Sequence, residues 1–139
     1  MNQTSYFVAA VAAIIFKGEK LLAMKRSKSK DAGPGLWETL SGRINTKEDP
    51  LDAVKREIAE ECGLQVVLDP RPVKAYQATR KGHPMILIIY RAVYKGGEVI
   101  RSKEHDEYAW VTPNQFAELS SLSQLVEVVY EAAAMPHLG

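Results

Sequence analysis

Glu57, Glu60 and Glu61 lie in the segment Gly42 to Leu64, GRINTKEDPLDAVKREIAEECGL. On a helix, positions i, i+3 and i+4 share one face with Cβ atoms within about 6 Å, so three carboxylates meet there. The arrangement is unfavourable by itself. Each like-charge pair costs roughly 0.2–0.5 kcal/mol, and the C-terminal half of a helix adds its own partial negative charge. A hard divalent cation, Mg2+ or Mn2+, prefers carboxylate oxygens and water; it removes the repulsion and bridges naturally to a phosphate-bearing substrate. The competing reading is an acidic solvated face paired with Lys47, Lys55 and Arg56. Two neighbours favour the metal. Gly42 stands before the loop that enters the helix, where a backbone carbonyl can approach a cation with no side chain in the way. Arg56, adjacent to Glu57 and therefore not facing it across a turn, has a fork able to take a carboxylate from elsewhere, such as Glu48.

The elements that must present these groups can be read from pattern. Asp49 at the N-cap and Pro50 at the first helical position open a helix that Gly63 ends, with Leu51, Val54, Ile58 and Cys62 as its inner stripe. Upstream, residues 6–17 and 20–26 form two antiparallel strands around Lys17-Gly18-Glu19, followed by a basic surface loop from Lys25 to Gly35. Downstream, strands are expected at 65–69, 72–78 and 84–94; the last, PMILIIYRAVY, is apolar enough for the middle of a sheet. Lys95-Gly96-Gly97 turns the chain, Tyr108 to Val111 is a short strand, and Thr112-Pro113 opens a short helix. A final helix runs from Ser121 or Ser123 to Met135. Strands and helices interleave without a regular βαβ repeat, the pattern of an α/β fold with a mixed sheet covered by helices.

At 139 residues the chain is expected to be one domain, 1–139. Eighteen basic against seventeen acidic residues leave a net charge of +1, which excludes bulk electrostatic binding to nucleic acid or a membrane surface. The single cysteine, Cys62, excludes an internal disulfide and Cys-rich zinc sites and fits a cytoplasmic location. The apolar run from Tyr6 to Phe16 imitates a signal peptide, but its leader MNQTS carries no Lys or Arg, and the run is too short to span a bilayer. It reads as a buried strand.

The Gly42 to Leu64 segment resembles the Nudix box, G-x5-E-x7-R-E-U-x-E-E-x-G-U with U aliphatic. Gly42, Glu48, Arg56, Glu57, Ile58, Glu60, Glu61, Gly63 and Leu64 meet every position. The resemblance implies a Nudix-type α/β/α sandwich and Mg2+- or Mn2+-dependent hydrolysis of a nucleoside diphosphate linked to another moiety. It further implies Glu57, Glu60, Glu61 and the Gly42 carbonyl as metal ligands, Glu57 as a base for water, and Arg56 and Glu48 as groups orienting the cluster.

Glu104 and Glu107, in the acidic segment before Tyr108, are rival bases or further ligands, with Glu104 favoured. His105 and His83 lack metal-ligand spacing and are read as incidental. Arg26 and Arg43, and the pair Arg80-Lys81, are candidate phosphate contacts. Trp37 or Tyr76 is a candidate stacking surface for a base, with a core role equally open to Trp37. The chain has Leu40-Ser41-Gly42 where relatives commonly have Pro-Gly-Gly, and Lys47-Glu48 where they have Gly-Glu. The proline and tyrosine that mark ADP-ribose and diadenosine polyphosphate enzymes are absent at 79–81. The expected partner is a small nucleotide, foremost a nucleoside triphosphate, non-canonical ones included. A nucleotide sugar or dinucleoside polyphosphate, or a sensing module without turnover, are the alternatives. Monomer and homodimer are both compatible.

Overall fold

The computed structural model describes residues 6–28, 35–100 and 102–136. The leader MNQTS, positions 29–34 of the basic loop, and His137 lie outside these residues. The elements run in the order β1 (Val8–Lys17), β2 (Lys20–Arg26), β3 (Trp37–Glu38), β4 (Leu40–Arg43), α1 (Pro50–Glu61), β5 (Gln65–Leu68), β6 (Lys74–Arg80), β7 (His83–Gly96), β8 (His105–Val111), α2 (Pro113–Leu119) and α3 (Ser123–Ala134).

The strands form a mixed sheet in the order β3-β2-β1-β7-β5, with β4 pairing β1, β6 pairing β7 and β8 pairing β2. Parallel pairing of β1 with β7, from Val8↔Met85 to Phe16↔Val93, forms its centre. A strand flanked on both edges and covered on both faces needs apolar residues at successive positions, which explains the unbroken run in β1. The β1–β2 hairpin is narrower than the sequence suggested. Only Phe16↔Leu21 and Lys17↔Lys20 pair across it, and β4 takes that edge of β1 from Ala10 to Ala13. The strand β6 begins and ends two residues later than expected and β7 is longer than expected, the two meeting at a tight two-residue hairpin turn in which Lys81 and Gly82 both adopt positive φ.

Alternation along β1 and β2 divides the core. Val11, Ala13, Ile15, Leu22 and Met24 face α1, packing with Ala53, Val54, Ile58 and Cys62. Ala12, Ile14, Leu21 and Ala23 face the other way, against Phe116 of α2 and Leu125, Val128 and Val129 of α3. Helices therefore cover both faces, and the α/β/α sandwich is observed. Each fully buried Leu, Ile, Val or Phe contributes roughly 1.5–3 kcal/mol.

The helix ends follow local chemistry. Asp49 occupies the α1 N-cap without a side-chain cap bond. At the other end Gly63, at φ +68°, returns its N–H to the Ile58 carbonyl at 2.9 Å. Thr112 and Gln115 form a reciprocal capping box on α2. Ser120 Oγ then donates to the Trp37 carbonyl at 2.8 Å and accepts from the Leu122 N–H at 3.2 Å, fixing the start of α3 beside β3. A buried ion pair braces the far side of the sheet. Asp69 Oδ2 lies 3.5 Å from Arg91 Nε, and both side chains are buried. No helix among the described residues is long and apolar enough to cross a membrane.

Candidate active site

Helix α1 lies against β4, and its inner face carries acids as well as apolar residues: Glu57 and Glu61 are buried beside Ala53, Val54 and Ile58. The three glutamates are thus unequally placed. The Glu57 and Glu61 side chains are 8% and 5% exposed, against 59% for Glu60. Glu61 is nevertheless in hydrogen-bond reach of Glu57.

Arg56 organises the cluster. Its Nε and Nη2 grip Glu48 at 2.8 and 3.0 Å. Its Nη1 donates to Glu57 at 2.8 Å and to Glu60 at 3.1 Å, while Nη2 also reaches the Arg43 carbonyl at 2.9 Å. Sequence spacing argued against contact between Arg56 and Glu57; the long guanidinium folds back along the helix and makes it. The grip of Arg56, with the Asn45 N–H, holds the Glu48 carboxyl down to about 2. Glu48 in turn, ahead of Glu57, raises the already high Arg56 pKa. For Glu57, burial raises the carboxyl pKa; Arg56 pulls it back and Glu60 pushes it up again.

Gly42 presses against this cluster. A Cβ built there would collide with the Glu57 carboxyl, so only glycine lets the β4 backbone approach the acid so closely. Gly42, Ser41, Glu38 and Arg26 also line a cavity of about 570 Å3 that reaches Tyr76, Arg80 and Lys81 on one side and Ser121 to Leu125 at the start of α3 on the other. The acidic cluster and the cavity therefore share a wall.

Of the candidate substrate contacts, Arg26 is buried in that wall with Nη1 on both Glu38 oxygens, at 3.1 and 3.2 Å. Arg43 is exposed at the end of β4. Trp37 and Tyr76 are both partly buried against the core cluster that contains Ala12, Ile14 and Phe116, while Tyr76 and the Arg80-Lys81 pair line the cavity. Glu104 is in hydrogen-bond reach of Glu61. Glu107 is paired instead with Lys25 at 3.4 Å.

Sequence reasoning missed Glu38 and His105. The His105 ring is buried with Nε2 3.0 Å from Glu38 and Nδ1 2.9 Å from Glu61. A β-bulge puts it there. The β8 register against β2 shifts between Lys25 and Arg26, so that Glu107 opposes Lys25 but His105 opposes Arg26. Without the extra residue, His105 would share the face of Glu107; the bulge turns it toward α1. Burial disfavours the charged ring, yet the carboxylates of Glu38 and Glu61 beside its two nitrogens outweigh it and raise the pKa to about 9. Burial likewise pushes the Glu61 carboxyl up, against the pull of His105. One signal was available: Glu38, wedged between Trp37 and Leu40, is a charge in an apolar stretch and needs a buried partner.

Among the described residues no three acidic, cysteine or histidine side chains stand at metal-binding distance. The donor set nonetheless suits a hard divalent ion: four clustered carboxylates, two with raised pKa, and a backbone brought close at Gly42.

Comparison with known proteins agrees with this construction. Residues 6–131 match the family model described as the NUDIX domain. The chain is 31% identical over 106 residues to a nucleoside triphosphatase NudI from Salmonella arizonae, covering 69% of this chain and 75% of that protein. Its fold matches a MutT protein from Methanosarcina mazei with a TM-score of 0.81 at 23% identity, over 95% and 96% of the two chains. It also matches a C. elegans Ap4A hydrolase with a TM-score of 0.82 at 19% identity, over 91% and 96%. With a family match over nearly the whole chain and a sandwich that brings an arginine-bound acidic helix face against a glycine strand, the chain belongs to the Nudix family of hydrolases, which act on phosphoric anhydride bonds and generally use a divalent metal.

Proposed function

We propose that this chain is a Mg2+- or Mn2+-dependent pyrophosphohydrolase of nucleoside triphosphates. The observation that carries the reading is the shared wall: Gly42 is at once the residue against which Glu57 lies and a lining residue of the 570 Å3 cavity. Such a volume accommodates a ligand of nucleoside size. Similarity to a nucleoside triphosphatase over 69% of the chain supports the substrate class.

Glu57, Glu60, Glu61 and the Gly42 carbonyl would hold the ion. When bound, it neutralises charge developing on the phosphoryl oxygens. Glu57 takes the proton of the attacking water, a task suited to a carboxyl that burial has moved toward neutrality. Glu104, beside Glu61, is the rival base. Arg56, with Glu48 on its outer side, keeps Glu57 and Glu60 oriented and offsets their repulsion until the ion arrives. In the cavity Tyr76 offers a face for a base and Arg80 and Lys81 offer charge for phosphates.

The test is product release from a panel of nucleoside triphosphates, nucleotide sugars and dinucleoside polyphosphates, with Mg2+ or with chelator. The highest kcat/KM should fall among the triphosphates, with no turnover in chelator. Turnover that survives chelation, or a preference for another class, overturns the proposal.

A further inference from the structure

We propose that His105 is a positioning residue: its two ring nitrogens clamp Glu61 of α1 to Glu38 of the cavity wall and so hold Glu61 in place to share a divalent ion with Glu57. The inference rests on the functional reading above, in which Glu61 helps to hold the metal. Glu61 is the last residue of α1, where a long side chain left to itself samples several rotamers and loses that freedom on being fixed. The ring supplies that fixation at 2.9 Å, closer than the Ser102 hydroxyl, which donates to Glu61 at 3.3 Å. Glu104 is also in hydrogen-bond reach of Glu61, but it is of like charge when ionised, whereas the ring can offer Glu61 an N–H donor.

On its other side the clamp is anchored to the sheet. Glu38 lies 3.0 Å from Nε2 and is itself held by Arg26 at 3.1 Å and by the Ser41 hydroxyl at 3.3 Å. Packing alone would require neither nitrogen, since an apolar ring fills the same volume. The bulge between Lys25 and Arg26 turns the ring out of the face its strand parity would give it and onto the two acids. A partner that orients a metal-holding group typically changes metal affinity or activity by about 10–100-fold when removed.

His105→Phe keeps the ring volume without its nitrogens, and His105→Gln restores one donor. Two quantities are read: Mn2+ binding to the nucleotide-free protein, by the paramagnetic resonance of free Mn2+, and kcat with KM for nucleoside triphosphate in Mg2+. In His105→Phe, Mn2+ should bind about 10–100-fold more weakly and kcat should fall, with KM within about threefold of wild type. His105→Gln should recover part of both. Asp69→Ala, which breaks the remote ion pair, serves as a comparison: it should unfold at lower temperature yet bind Mn2+ as wild type does.

Wild-type Mn2+ affinity and kcat in folded His105→Phe overturn the inference. If that variant does not fold, wild-type values in His105→Gln do the same. Equal weakening of Mn2+ binding in Asp69→Ala also overturns it, because affinity would then follow global stability. A wild-type protein that neither takes up Mn2+ nor turns over nucleotide overturns the functional reading itself, an outcome distinct from the others.

Discussion

Replacing Gly42 by alanine tests whether Glu57 is placed by the β4 backbone. A Cβ at that position falls on the Glu57 carboxyl, and non-bonded carbon contacts settle at about 3.5–4 Å, so the acid must retreat by more than about 1 Å. The obstacle is the far end of a flexible side chain, and retreat is sterically possible. Its cost is functional, because the carboxyl leaves the Arg56 Nη1 that holds it at 2.8 Å. A misplacement of about 1 Å at reacting groups costs on the order of 10²-fold in rate, or about 2.7 kcal/mol of barrier. The fold should hardly notice. Gly42 lies in a strand and is not among the residues with positive φ, so alanine gains roughly 0.4–1 kcal/mol by restricting the unfolded chain, which offsets the local rearrangement. Steady-state release of phosphate or pyrophosphate, beside a thermal melt, separates the two effects: kcat/KM should drop about 100-fold while the melting temperature stays within about 4 °C. Full activity in a folded Gly42→Ala protein would refute the placement of Glu57. A collapse of the melting temperature would refute the claim that the carboxyl can give way.

Further outcomes follow from the same geometry. Glu57→Gln and Glu60→Gln should each lower kcat by about 10²–10⁴-fold with a melting temperature unchanged or higher, since each removes one of the three like charges on that helix face; retained turnover in both removes the acidic cluster from the chemistry. Because the folded-state pKa of His105 is raised from 6.5 to about 9, its stabilising contribution is fully present below pH 6.5 and is lost as pH rises through about 9. Thermal melts in chelator should therefore fall across that interval, and a flat or rising profile counts against the His105 contacts. Asp69→Ala leaves buried Arg91 without its carboxylate and should destabilise by about 3 kcal/mol in a denaturant titration, with kcat unchanged.

The helix, its glycine stop and the central position of β7 were readable because each depends on local spacing or on an apolar run long enough to need two covered faces. The Arg56 network was half readable. Glu48 was named as its partner, but the fold-back onto Glu57 and Glu60 depends on the reach of one rotamer. His105 was not readable at all, because strand parity sends it to the wrong face and only the register shift against β2 corrects this. Trp37 shows the opposite case. An aromatic next to a candidate site invites a stacking role, but Trp37 and Tyr76 both pack against the same core cluster, and of the two it is Tyr76 that lines the cavity.

The parallel seam between β1 and β7 also sets an order of events during synthesis. β1 leaves the ribosome early, and the strand that covers its long edge begins only at His83. At about 5–20 residues per second, several seconds pass in which an eleven-residue apolar tract, YFVAAVAAIIF, has only its own hairpin and the four-residue β4 as sheet partners, with its long edge uncovered. Helix α1, which closes through near-neighbour contacts, is the natural shelter in that interval, since Val54 and Ile58 offer Val11 and Ile15 an apolar surface. The segment that carries the acids would then serve the nascent chain first as a cover against aggregation, well before β8 brings in the last residue of the cluster.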